Sequence, residues 1–120
     1  MKDFHKLKVW EKAHKITLKI YLTTRDFPKE EIYGLTSQMR RSSASIPTNL
    51  AEGSGRSSKA ETIHFFNIAI GSASELEYQI LLAHDLHYVE EKIFLELSAE
   101  LIEVRRMLYG LIQRLKSDLS

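Results

Sequence analysis

The chain contains no cysteine, which excludes disulfides, a thiolate nucleophile and any cysteine-ligated metal. That absence fits a reducing compartment, and a cytoplasmic location is expected. Two prolines and five glycines are the only strong breakers in 120 residues. No window approaches the ~18 consecutive apolar residues of a membrane span, and MKDFHKLKVWEKAHK at the N-terminus is too charged for a signal-peptide core. Strand-like alternation is missing throughout. So is a strong net charge: the formal value is +1 at pH 7, which argues against strong nonspecific attraction to polyanions.

What is present is a composition ordinary for one globular domain, spanning residues 1–120 and able to bury roughly two-thirds of its unfolded surface. The near-neutral total conceals an asymmetry. Residues 1–59 carry 12 Lys/Arg against 6 Asp/Glu, and residues 60–120 carry 5 against 10. Such a division reads equally as internal complementarity or as one basic surface set against one acidic surface.

Apolar spacing predicts four helices, at about residues 4–25, 29–52, 58–84 and 90–117. In the first, Val9, Ala13, Ile16 and Ile20 form one row, ended by Asp26-Phe27-Pro28 because the residue before proline is driven from the α region. The second is interrupted around Gly34 and stops at Gly53-Ser54-Gly55. Ser58 with Glu61 makes a capping box for the third. In the fourth, Ile93, Leu97, Leu101, Val104, Leu108, Leu111 and Leu115 form a heptad seam. Short connections predict an all-α, antiparallel up-down-up-down four-helix bundle.

The segment LTSQMRRSSASIPTNLAEGSGR, residues 35–56, departs from good helix chemistry. Pro47 deprives the Ser43 carbonyl of its helical donor at about 3 kcal/mol in a regular interior. A kink is expected there, or else two shorter helices, with the carbonyl served by water or by Ser42, Ser43 or Ser45. The small arc of Ala44, Pro47 and Ala51 permits close approach of another subunit. Arg41, Ser45, Thr48 and Glu52 share a face and read equally as a charge-paired network from Arg41 towards Glu52 or as a ligand site. In the third helix, Gly71 costs about 1 kcal/mol relative to alanine, most simply accepted for close packing.

Candidate chemistry is sparse. Lys8, Lys12, Lys15 and Lys19 fall on one line of the first helix, a plausible phosphate-tracking stripe or a plain solvated face. Arg40 and Arg41 diverge by ~100° around the helix axis. Arg56 and Lys59 flank a turn that lacks the glycine and lysine pattern of a P-loop. The histidines have no zinc or di-iron spacing, no nucleophile–base order is discernible, and no aromatic stacking platform is evident. No catalytic residue, metal, cofactor or small-molecule substrate is expected.

A family resemblance joins these residues. Trp10 with Ala13, Phe27-Pro28, Gly34-Leu35, Gln38-x-Arg40-Arg41, Ser45-Ile46-Pro47-x-Asn49-Leu50-Ala51-Glu52-Gly53, Arg56 and Phe66-x-Ile68-Ala69-x-Gly71-Ser72-x-x-Glu75-Leu76 resemble the bacterial four-helix-bundle proteins encoded in intervening sequences of 23S ribosomal RNA genes. The resemblance covers nearly the whole chain, and the motif of the second helix is its most specific part. It implies a ring, a homopentamer, with a basic surface for RNA or DNA and no enzyme activity. A related branch is the accessory protein of diversity-generating retroelements, which binds a reverse transcriptase and nucleic acid.

The leading expectation is therefore a noncatalytic ring that binds structured ribosomal RNA through phosphate contacts from Lys8, Lys12, Lys15, Lys19, Arg40, Arg41, Arg56 and Lys59. Ala44, Pro47, Asn49, Ala51, Glu52, Gly53 and Gly71 are expected to serve structure and assembly. The competing expectation is a protein-interaction scaffold that docks a polymerase-type partner.

Overall fold

A computed structural model describes residues 3–119, and among these every regular element is helical. The long helices are α1 (Lys8–Thr24), α2 (Leu35–Ser54), α3 (Lys59–Asp85) and α4 (Glu91–Leu119). The molecule measures 48 × 23 × 20 Å. Each helix packs on the next and α1 closes against α4. Contacts across neighbours run in opposite order: Thr17 meets Ser43 and Thr24 meets Arg40, while Ser42 meets Gln79 and Gly53 meets Thr62. That order is compatible with antiparallel neighbours.

Four apolar rows converge on one core. Val9, Ala13, Ile16 and Ile20 meet Met39, Ile46 and Leu50 of α2, Phe66, Ala69, Ala73, Leu76 and Ile80 of α3, and Leu97, Leu101, Val104 and Leu108 of α4. These spacings of three, four and seven residues place each row on one side of its helix.

The helix ends refine the expected boundaries. Phe4–Lys6 is a separate 3₁₀ turn, and Leu7 is extended, so α1 begins at Lys8 rather than at residue 4. Asp3 caps that turn, its carboxylate accepting from the His5 N–H at 3.0 Å. Lys29–Glu31 is likewise a 3₁₀ turn, and α2 proper begins at Leu35. There Glu31 takes the place of an N-cap, its Oε1 accepting from the Leu35 N–H at 3.1 Å. At the other end α2 runs through Gly53 to Ser54 instead of stopping at residue 52. A Cβ on Gly53 would stand 3.0 Å from both Phe65 Cβ and the Phe66 ring, so glycine here lets α2 and α3 meet. Ser58 caps α3 as expected, accepting from the Glu61 N–H at 3.1 Å.

The turn after α3 reverses direction through His87 at φ 64°. The Tyr88 N–H reaches back to the Ala83 carbonyl and the His87 N–H to that of His84, the paired bonds of a Schellman ending.

Pro47 lies buried inside α2 without ending it. The Ser43 carbonyl that the proline leaves without a helical donor accepts from Thr17 Oγ1 of α1 at 2.9 Å. This corrects the expectation of help from nearby serines. Ser42 Oγ is turned to Gln79 at 2.6 Å, Ser43 Oγ to the Arg40 carbonyl at 3.0 Å, and Ser45 Oγ to Ser72 Oγ at 2.8 Å. Asn49 binds back to the Ser45 carbonyl at 2.8 Å, a role inside its own helix.

Candidate nucleic-acid interface

The lysines of α1 do share one face, but α4 brings carboxylates to it. Lys12 pairs with Glu103 at 3.0 Å and Lys19 with Glu100 at 2.8 Å, while Lys15 pairs within α1 with Glu11 at 3.1 Å. Lys8 alone of the four has no salt bridge among the described residues. Together with Glu11, Lys12, Lys15, Glu100 and Glu103 it lines a shallow cleft of about 470 Å³. The cleft holds as many carboxylates as ammonium groups, so its field is that of alternating charge and not of a continuous basic track.

The arginines of α2 are more firmly committed. Arg40 Nε donates to Thr24 Oγ1 at 2.9 Å, a terminal nitrogen donates to the Tyr21 carbonyl at 3.3 Å, and the guanidinium lies 4.7 Å from the Tyr21 ring centre. It clasps the last turn of α1, where cations complement the helix dipole. Arg41 pairs with Glu75 of α3 rather than towards Glu52. Glu52 instead holds Arg56 at 2.9 Å, and Arg56 also covers the Phe65 ring at 4.6 Å. Lys59 reaches Asp118 at 3.0 Å. Glu77 pairs with Arg105 of α4 at 2.7 Å.

The Lys59–Asp118 pair joins the α2–α3 turn to the end of α4, and the Phe4–Lys6 turn that leads into α1 packs on α2, so these segments share one pole of the bundle. Lys6, Lys8, Arg114 and Lys116 stand there, exposed and without a salt bridge among the described residues. Lys6, Arg114 and Lys116 are additions to the expected set. A local signal existed for the latter two: residues 104–117 contain four cations and no carboxylate, a fact erased when the whole second half of the chain is summed.

Aromatic rings gather at the same pole. Phe4 stacks on His5 at 4.1 Å, both meet Trp10 edge-on at 4.9 and 5.3 Å, and Trp10 lies parallel to His14 at 5.2 Å. Trp10 and His14 are i,i+4 neighbours on α1, whereas Phe4 and His5 join them only because the break at Leu7 folds them back onto Trp10. The pair of His5 Nδ1 and Asp3 at 2.6 Å holds the Asp3 carboxyl below its ordinary range.

The opposite pole, formed by the α1–α2 connection and the α3–α4 turn, is different. Tyr33 is 96% exposed and Tyr78 61% exposed, with Ile32, Leu81, Leu86 and Leu95 also reaching solvent. Leu35, Tyr78, Leu82 and Leu86 help to line an open cleft of about 500 Å³. Tyr88 donates its hydroxyl to Glu31 at 3.0 Å, and this hydrogen bond to a carboxylate raises the phenol above its ordinary range.

Of the expected assembly residues, Gly53 is buried by packing within the chain, Ala44 and Ala51 are half-buried, and Gly71 is exposed. A Cβ on Gly71 would meet no atom within 4 Å. Close packing inside the bundle is therefore not its reason. Among the described residues no group of three or more His, Asp or Glu is placed to hold a metal, and no helix is long and apolar enough to cross a membrane.

The sequence profile of 23S rRNA-intervening sequence proteins matches residues 5–110. A crystal structure at 1.70 Å of a protein of unknown function from the S23 ribosomal protein family of Bacteroides thetaiotaomicron is similar in fold, with a TM-score of 0.78 at 24% identity. The match covers 87% of this chain and 97% of that one. No curated protein matches.

Proposed function

We propose, for a chain that belongs to the 23S rRNA-intervening sequence protein family, a noncatalytic role as a ring-forming helical protein that binds structured ribosomal RNA through its phosphates. The observation that carries the reading is the pole where Lys6, Lys8, Arg114 and Lys116 lack carboxylate partners among the described residues. Each phosphate neutralised there releases counterions. Lys12 and Lys15 extend the surface, because an exposed ion pair is worth only about 0–1 kcal/mol and can be exchanged for a phosphate. Arg56 and Lys59 border it, and the exposed pair of Arg41 with Glu75 is exchangeable in the same way, whereas Arg40 is held against the end of α1. The ring, a homopentamer as the resemblance implies, multiplies weak contacts through effective concentration. The exposed, unpacked Gly71 and the small side chains of Ala44 and Ala51 support close approach between copies.

Fluorescence anisotropy with labelled RNA across a salt series tests the binding. The expected logarithmic slope is about −0.7 to −0.9 per phosphate contacted, and Lys8→Gln should lower it by about one contact. Glu100→Gln with Glu103→Gln should strengthen binding by removing the competing carboxylates. No binding at low salt sinks the reading. It would leave a docking scaffold in front, which the apolar cleft beside Tyr78 supports as the second reading. Mass in solution tests the ring separately, and a monomer would remove it.

A further inference from the structure

The rings at the basic pole are not arranged as a core cluster. Trp10 is only half-buried at the edge of the core, and His5 and His14 are exposed, with 65% of the His5 side chain in solvent. The N-terminal turn is already fastened without the outer rings, since Asp3 caps it and Leu7 packs on the core. His14 nevertheless lies parallel to Trp10, 8° apart, and its ring makes no hydrogen bond among the described residues. The two residues flanking Leu7, Lys6 and Lys8, are both exposed and free of salt bridges among the described residues.

Aromatic faces beside unpaired cations are the two parts of a single-strand binding surface. Bases stack on the rings while the backbone follows the charge. We propose that the ladder Phe4, His5, Trp10 and His14 is a stacking platform for the bases of an unpaired nucleic-acid segment, with Lys6 and Lys8 on its phosphates. The inference rests on the phosphate-binding reading above and narrows its ligand to loops and ends of a folded RNA, where bases are free to leave the stack.

Trp10 is the only tryptophan, so its emission reports on this ladder alone. The full chain is titrated at low salt with an oligouridylate of about ten nucleotides, following dye anisotropy and Trp10 emission together. An abasic strand of equal length serves as the second probe. Quenching should saturate in step with anisotropy. The abasic strand should bind at least about fivefold more weakly and leave the emission unchanged. His14→Ala should weaken oligouridylate binding by a similar factor, and His14→Phe should restore it. Circular dichroism checks that both variants fold, and if His14→Ala does not, the emission and abasic arms decide alone. Salt-dependent binding with constant emission and equal affinity for the abasic strand overturns the platform and leaves the phosphate reading standing. No anisotropy change with either probe or with structured RNA removes both.

Discussion

The two poles of the bundle spend their surface differently. One gathers aromatic rings against the ends of α1 and α4 and leaves four cations without carboxylates among the described residues. The other leaves Tyr33, Tyr78, Leu86 and Leu95 in solvent, and its exposed cations Arg25, Lys29 and Lys92, also without a salt bridge among the described residues, stand among Asp26, Glu30, Asp85, Glu90 and Glu91. The contrast shows that the charge imbalance between chain halves is not an imbalance between faces. Where the halves meet along α1 and α4, Lys12 and Lys19 are matched by Glu103 and Glu100. The cations of these two helices left without a salt bridge among the described residues are Lys8, Lys92, Arg114 and Lys116 towards the ends and Arg106 in the body of α4.

Packing offers the strongest way to break the comparison. Phe66, 2% exposed against Gly53 near the basic pole, should cost about 3–5 kcal/mol when replaced by alanine. Tyr78→Ala at the opposite pole should cost no more than about 0.5 kcal/mol, as an exposed site does. Denaturant unfolding measures both, and equal losses would show that the exposed ring is part of the core after all.

Between the poles, Thr17→Val leaves the buried Ser43 carbonyl without its donor and should cost about 1–3 kcal/mol. Pro47→Ala in the same chain restores the helical N–H and should recover much of that loss. A double-mutant cycle reads the coupling.

The glycines should respond with opposite signs. Gly71→Ala meets open space and should stabilise the isolated chain by about 0.5–1 kcal/mol. Gly53→Ala drives a methyl group against Phe65 and Phe66 and should destabilise it. Thermal unfolding distinguishes them.

The smallest contrast is in pH response. The lowered Asp3 pKa favours the carboxylate in the folded chain, so its contribution is present above the ordinary carboxylate range and is lost as pH falls through the lowered value. The raised Tyr88 pKa favours the phenol, so that contribution holds below the ordinary tyrosine range and is lost as pH rises through the raised value. NMR of the His5 amide in acid and of the Tyr88 ring in base should show the poles loosening at opposite extremes.

The helices and most of the core were legible because their cause is local. Val9, Ala13, Ile16 and Ile20 need no partner to declare a face, and Ser58 with Glu61 announces a helix start by itself. The basic row was legible as a row, but its neutralisation by Glu100 and Glu103 depends on α4, some 80 residues away. The donor for Ser43 is distant in the same sense, since Thr17 lies 26 residues upstream. The aromatic ladder was hidden by a single residue. Read as a continuous helix, residues 4–10 scatter Phe4, His5 and Trp10, whereas the extended Leu7 folds them together.

Pro47 does more than interrupt a ladder of hydrogen bonds. The carbonyl it strips bare marks one position along the α1–α2 seam, and only a hydroxyl opposite can answer it. Sliding α1 by one turn, ~5.4 Å, would bring Ala13 or Tyr21 towards that place, and neither carries an aliphatic hydroxyl. A bundle of apolar rows has several nearly equivalent alignments of its helices. In this chain a missing hydrogen tells them apart.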